Sequence, residues 1–202
     1  MNRIQAKKIF DELYPDRSGY YISLNDRKKL GKSKPSFTYG EIDFMSFATI
    51  FSLANVKAGE IFYDLGCGVG KPVIAGALLK PFGKCIGVEL LPGLYKRACE
   101  IKQRFDKEFK PTIEGHRADI SFINKDLLDV DISSGDVFYL AATCFNDNLI
   151  EAITKKTKDV KVGSRFMMLS KQIHDRSLFL QWASVKKMGW GDEILYIYKK
   201  IH

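Results

Sequence analysis

Residues 61–79, IFYDLGCGVGKPVIAGALL, constrain the fold of this chain more than any other stretch. A short apolar strand pattern, IFYDLG, meets glycines at every second position, Gly66, Gly68 and Gly70. Pro72 then stands in the first turn of a helical run, PVIAGALLK, where its missing N–H costs nothing. A strand that turns through glycines into a helix begins a β–α unit, and the pattern recurs downstream. CIGVEL is the next strand, and LYKRACEIKQRFDKEF the next helix, with apolar residues at 94, 98, 101 and 105. ISFINKDLL and DVFYLA add two strands, a helix is expected from about Asp147 to Lys156, and SRFMMLS is a fifth strand. The segment WASVKKMGWGDEILYIYKK reads as two strands joined by a Gly-Trp-Gly-Asp turn, a terminal hairpin. Such alternation predicts a parallel sheet with helices on both faces.

The first 55 residues break this rhythm. Residues 3–14 have the spacing of an amphipathic helix, with Ile4, Ile9, Phe10 and Leu13 on one side. Residues 14–41 lack sustained periodicity and carry Pro, Gly and Ser, which predicts mostly loop. In EIDFMSFATIFSLANV, Phe44, Phe47, Ala48, Phe51 and Leu53 or Ala54 recur at helical spacing, as in a helix buried against a sheet. There is no internal repeat and no linker. The expected organisation is one domain over 1–202, with 1–55 a helical and loop extension and 56–202 the ligand-binding core. A chain of 202 residues with 46% apolar content suffices for one hydrophobic core.

Three ligands compete for the glycine loop. A phosphate-cradling P-loop requires G-x-x-x-x-G-K-[ST], but Lys71 is followed by Pro72 and no glycine stands five before Gly70. The dinucleotide fingerprint G-x-G-x-x-G has its third glycine one residue later than here. The remaining ligand is S-adenosylmethionine, whose methionine end carries an ammonium and a carboxylate and no phosphate. Asp64 at the strand tip is placed to meet the ammonium, directly or through water. Gly66, Gly68 and Gly70 let the backbone pass close under a ligand, and the following helix presents its N-terminus to the carboxylate. Glu89 ends the next strand, 25 residues beyond Asp64, where an acid accepts both ribose hydroxyls. Asp126 follows the third strand, in reach of an adenine amino group, with Leu127 against the ring. Three acids at three successive strand ends beside a glycine loop point to S-adenosylmethionine as cofactor.

The order of elements resembles the Rossmann-like fold of class I methyltransferases, a mostly parallel seven-stranded sheet with a C-terminal antiparallel hairpin. Here it carries an N-terminal helical extension. Upstream of the loop lies FTYGEIDF, residues 37–44. The combination of TYGE, DLGCGVGK and GVE resembles the disruptor-of-telomeric-silencing (Dot-like) family of lysine methyltransferases, over roughly residues 37–170. The resemblance implies a loop folded over the methionine part of the cofactor, with Tyr39, Gly40 and Glu41 closing the site and Glu41 near the ammonium. It also implies a protein lysine on the nucleosome core as acceptor. After the fourth strand this chain departs from the family. A pair of asparagines beside the lysine channel is replaced by Ala141 and Ala142 in DVFYLAATCFND. Either Thr143, Asn146 or another polar group takes over, or the acceptor differs. No [DNS]-P-P-[YF] follows that strand, which removes support for adenine-N6 or glutamine methylation. Cys144 lacks the preceding proline of cytosine-C5 enzymes and reads as a small buried residue.

For a lysine acceptor, one proton must leave before attack, and an apolar, aromatic channel favours the neutral amine. Tyr39, Phe145 and Tyr139 are candidates to line it, with Trp190 further off. The catalytic candidates are therefore Tyr39, Thr143 and Phe145. The rivals to a lysine enzyme are an RNA or small-molecule methyltransferase on the same cofactor site, and a non-catalytic binding protein that keeps the fold.

Charge and cysteines bound the partners. The net charge is +8, and RKKLGKSK, residues 27–34, holds five cations and no acid, a candidate anchor for an acidic or nucleic-acid partner. KKTKDVK, residues 155–161, is a second basic cluster. Four cysteines without a C-x-x-C pair and three histidines, of which His116 and His174 have no partner spacing, give no metal cluster. These thiols, an N-terminus without a signal-peptide core and no apolar run of about 18 residues predict an intracellular protein, cytoplasmic or nuclear, without a membrane span. It is expected to act as a monomer.

Overall fold

The computed structural model describes residues 1–29, 39–115, 118–188 and 191–202. Five parallel strands, β1 (Ile61–Leu65), β2 (Lys84–Glu89), β3 (Asp119–Asn124), β4 (Val137–Ala141) and β5 (Arg165–Leu169), are joined by a hairpin of β6 (Leu178–Met188) and β7 (Gly191–Lys200). The sheet order is β3-β2-β1-β4-β5-β7-β6, and β7 lies antiparallel between β5 and β6. β1 and β4 are neighbours although two strands separate them in sequence, so the strand order reverses between them. In open α/β sheets ligands bind at that switch point, at the carboxyl ends of the strands.

The strands read as near-continuous apolar runs because both faces are covered, as parallel sheets require. Every residue of β5 is buried. One face is covered by α1 (Arg3–Leu13), α3 (Phe44–Leu53), α4 (Lys71–Leu79) and α5 (Pro92–Arg104), whose buried side chains share one cluster with the sheet. Phe51 packs edge-on against Phe62 and Phe82, and Phe47 edge-on against Tyr139, with centroids 5.1–5.7 Å apart. Phe138 and Phe166 stack on the opposite face at 4.6 Å, in the cluster that includes Ile153 of α6 (Asp147–Lys156). α5 buries Leu94, Ala98 and Ile101, and Phe105 in the wider turn that follows, at the spacing its sequence shows.

Two details depart from the sequence-based expectation. Ser18–Lys29 forms a helix, α2, inside the stretch expected to be mostly loop. Its fully buried residues are Gly19, Ser23 and Asp26, and Ile22 is partly buried against the core, so the inner face carries too few apolar residues to show a period. Asp26 accepts a hydrogen bond from Gly93 N at 2.6 Å, which seats α2 on the first turn of α5. Ile4, expected on the inner side of α1, is 81% exposed; Ala6, Phe10 and Leu13 form the inner face. At the end of α3, where the spacing left Leu53 or Ala54, Ala54 is the buried one, as one of the two alternatives expected. Two expectations, Trp190 in the hairpin turn and His116, lie outside the described residues. No described helix is long and apolar enough to cross a membrane.

Candidate active site

The loop after β1 is built around its own backbone. Gly70 caps α4 in the left-handed region, φ +82°, where a side chain is strained. A Cβ there would also stand 2.6 Å from the Phe122 ring. At Gly68, φ +56°, a Cβ would lie 2.4 Å from the Tyr39 ring. Gly66 differs, since its Cβ position meets only Phe145, at 3.7 Å. Two of the three glycines are thus required by the protein's own aromatic rings, and Gly66 alone of the three is exposed. The loop amides are engaged as well. Gly66 N and Cys67 N donate to Val88 O, Gly70 N to Cys67 O, and Gly68 N to Glu89 Oε2 at 2.8 Å. A loop whose amides point at their own neighbours makes a poor phosphate cradle, which agrees with the failure of the P-loop pattern.

What this end of the sheet offers is acceptors. Asp64 is 1% exposed, and neither of its carboxylate oxygens has a hydrogen-bond partner among the described residues. Burial pushes its pKa well above the usual carboxylate range, and the nearby charge of Glu89 adds to the effect. Tyr139, across the register on β4, has an equally buried hydroxyl, also without a partner among the described residues. Burial raises its pKa, as does Asp64. Both residues line a small cavity of ≈ 30 Å³ under the loop, with Tyr39, Gly40, Glu41 and Lys71 around it. Buried polar atoms without partners are rare in folded proteins. Two carboxylate oxygens and a hydroxyl around one cavity fit a small cationic, hydrogen-bond-donating group such as the ammonium of S-adenosylmethionine.

A larger cavity of ≈ 360 Å³ adjoins it, within the range of small-molecule sites. Glu89, Leu90, Leu91, Lys125, Asp126 and Leu127 line one side, and Tyr20, Tyr39 and Gly40 another. Gly66 lies between the two cavities and lines both. Glu89 is a strut as well as a wall: Oε1 accepts from Leu91 N and Oε2 from Gly68 N, both at 2.8 Å. Burial raises its pKa, opposed by those backbone hydrogen bonds. Asp126 accepts from Leu128 N through Oδ1, a turn that holds Leu127 on the cavity wall.

Residues 39–41 of the TYGE segment border the small cavity and are tied down by their own side chains. Tyr39 covers Gly68, packs edge-on against Tyr20 at 5.2 Å, and donates its hydroxyl to Glu41 Oε1 at 2.9 Å. Burial and the Glu41 carboxylate both raise the Tyr39 pKa. Glu41 lines that cavity and also holds Lys71 through Oε2 at 2.7 Å. Lys71 in turn sits over the Tyr14 ring. Phe37 and Thr38, which open this segment, lie outside the described residues, as do residues 30–34 of the basic run. Arg27, Lys28 and Lys29 form the last turn of α2.

The far wall is the departure segment. Ala141, Thr143, Cys144 and Phe145 line the large cavity. Asn146, weighed as a substitute for the missing asparagines, is the N-cap of α6 and accepts from Leu149 N at 2.9 Å. Thr143 points to Ser170, with 2.8 Å between the hydroxyl oxygens. Tyr139, expected to line an acceptor channel, is on the small cavity with Asp64 and not on the large one. Cys144 is half-buried on the cavity wall, not fully buried. Tyr20, Ser170 and Glu193 carry no motif and escaped sequence reasoning, and Lys71, the last residue of DLGCGVGK, was given no role in the site.

The sequence pattern of the family described as "Histone methylation protein DOT1" matches residues 20–189. A relative from Eremothecium gossypii, "Histone-lysine N-methyltransferase, H3 lysine-79 specific", is 26% identical over 145 residues, 68% of this chain and 25% of that protein. Its namesake from Candida glabrata is 26% identical over 144 residues, 68% of this chain and 22% of that protein. The chain therefore spans about a quarter of the length of the curated relatives it matches. Among solved structures, an RNA methyltransferase from Salinibacter ruber in complex with S-adenosyl-L-homocysteine superposes with a TM-score of 0.62 at 18% identity, covering 81% of this chain and 95% of that one. TrmN from Thermus thermophilus gives 0.65 at 15% identity, covering 80% and 50%. At such identities the structures speak for the fold, and the family rests on the sequence match. The chain belongs to the DOT1 family, on the Rossmann-like fold of class I S-adenosylmethionine-dependent methyltransferases.

Proposed function

We propose that this chain methylates a lysine of a protein, with S-adenosylmethionine as donor, and that a histone is the first acceptor to test. The observation that carries the cofactor reading is the buried Asp64, without a hydrogen-bond partner among the described residues, facing the small cavity beside the larger one. The DOT1 membership and the two relatives named for a histone lysine support the acceptor. When bound, the cofactor supplies a sulfonium-linked methyl group that a nucleophile displaces in line.

Every other contribution belongs to the chain. Asp64, with Tyr139 behind it, holds the ammonium. Glu89 accepts the ribose hydroxyls on the lone pairs its backbone partners leave free. Asp126 and Leu127 take the adenine. Tyr39, Gly40 and Glu41, tied to Lys71, fold over the methionine end and keep water from it. Phe145 supplies the apolar contact under which an amine loses its proton more readily. Residues 1–202 act as one domain, with 1–55 as its extension, working as a monomer inside the cell, in nucleus or cytoplasm. The cations at 27–34 attract the acidic partner.

The test is transfer of tritiated methyl groups to core histones, to nucleosomes and to RNA, by the wild type and by Asp64→Asn. Label on histone lysine that depends on Asp64 is the expected result. Label on RNA alone would replace the lysine reading, and a folded chain that does not bind S-adenosylhomocysteine would be a binding module.

A further inference from the structure

The segment that lost the family's asparagines carries a hydrogen-bonded chain of its own. Thr143, exposed on the wall of the large cavity, lies 2.8 Å from Ser170 Oγ, and Ser170 Oγ lies 2.5 Å from Glu193 Oε2. A hydroxyl has one proton, and a carboxylate only accepts. Ser170 must therefore give its proton to Glu193, and it can meet Thr143 only as an acceptor. The Thr143 proton is then committed to Ser170, and what Thr143 Oγ turns toward the cavity is lone pairs alone.

The middle of the chain is held with unusual care. Ser170 has φ +71°, in the left-handed region that residues other than glycine seldom adopt. Its N–H donates to Ile194 O at 2.8 Å, which fixes it against β7 one residue from Glu193. Strain of this kind persists only where the surroundings over-determine it, and it concentrates at functional sites. Asn146, the other polar candidate in the segment, has its carbonyl engaged in the α6 cap.

We propose that Thr143 is a specificity-determining group that accepts an N–H from a primary amine on the incoming substrate, and that Ser170 and Glu193 are positioning residues that fix its polarity. This deepens the lysine reading and rests on it for the cavity being the methyl-transfer site. An acceptor-only group backed by a carboxylate welcomes an amine or ammonium. It offers nothing to a phosphate, a carboxylate or a carbonyl, each of which needs a donor. An amine can give one N–H to Thr143 and keep its lone pair for the methyl carbon.

The probe is n-butylamine, which carries the four carbons and the nitrogen of a lysine side chain, titrated by NMR into the protein with and without saturating S-adenosylhomocysteine. Butyrate and 1-butanol serve as controls. The wild type should bind n-butylamine in preference to both, with shifts around Thr143. Thr143→Val, nearly the same shape, should bind it about tenfold more weakly, the size of one hydrogen bond to a charged group. Thr143→Ser should restore it, and Glu193→Gln should lose about threefold, a fraction of such a bond. S-adenosylhomocysteine affinity should be equal in all four proteins. Unaltered amine binding in Thr143→Val, equal binding of 1-butanol, or no amine binding by the wild type would overturn the proposal. Loss of S-adenosylhomocysteine binding in the wild type would instead sink the cofactor reading, while the titration of the free protein still decides on Thr143.

Discussion

The two halves of the strand-end surface are constructed on opposite principles. On the β1–β2 side, Asp64 and Glu89 are buried, at 1% and 8% exposure, and the loop between them is pinned by its own amides. On the β4–β5–β7 side, Thr143 is exposed, Ser170 and Glu193 are half-buried, and the ties run through side-chain hydroxyls. A donor molecule of fixed shape rewards a rigid, dry cradle, since preorganisation lowers the cost of binding. A surface that must admit a partner's side chain stays open and adjusts by single substitutions. On the proposed function, the donor site is therefore paid for in folding stability, whereas the acceptor site can change its chemistry with little effect on the fold.

Substitutions should divide along that line. The largest effect is expected at Glu89, whose removal orphans two buried N–H groups, Gly68 and Leu91. Glu89→Ala should lose roughly 2–5 kcal/mol of stability in denaturant unfolding. A variant that loses cofactor binding while keeping full stability would show Glu89 to be a ligand residue and not a strut. Asp64→Asn comes next and should move two quantities in opposite directions. Its affinity for S-adenosylhomocysteine should fall by about 1.5–3 kcal/mol, a charged hydrogen bond. The free protein should melt higher at neutral pH, because a carboxylate whose folded pKa is raised destabilises above its unfolded value of roughly 3.9. That gain should vanish as the pH falls below the unfolded value, where Asp64 is protonated in both states.

Two smaller effects probe the contrast more finely. Tyr39→Phe keeps the ring over Gly68 but removes the 2.9 Å bond to Glu41, and should lower stability by about 0.5–1.5 kcal/mol. A much larger loss would mean that the hydroxyl, and not the ring, holds the TYGE segment down. Thr143→Val should leave stability within about 0.5 kcal/mol of wild type, as at most exposed positions. A clear destabilisation there would mean that the acceptor side is as tightly built as the donor side.

The features on which the proposed donor half rests were legible because they are local in sequence. Glycines in a turn, and acids at strand ends, mark themselves by type and spacing, and the strand–helix periodicity placed all of them on one edge. The details that escaped have physical reasons. α2 buries Gly19, Ser23 and Asp26 beside a single partly buried Ile22, too little for a hydrophobic period to register. The rings that also require Gly68 and Gly70 to be glycine, Tyr39 and Phe122, come from distant segments. The pairing of Glu41 with Lys71 spans 30 residues, and that of Ser170 with Glu193 spans 23 across a hairpin. Such contacts exist only after the sheet has formed, so composition and spacing carry no trace of them.

Asp64, buried and without a partner among the described residues, is the group on which the cofactor reading turns. The decisive experiment is calorimetric titration of the wild type and Asp64→Asn with S-adenosylhomocysteine, repeated in buffers of different ionisation enthalpy and at falling pH. A cation brings the raised Asp64 pKa down, so binding should release a proton over the range in which the free carboxyl is protonated. Wild-type affinity should fall as the pH drops through that range, and Asp64→Asn should bind weakly and without the proton release. Equal affinity in the two proteins, or an affinity and proton balance indifferent to Asp64, would take the ammonium away from this carboxylate.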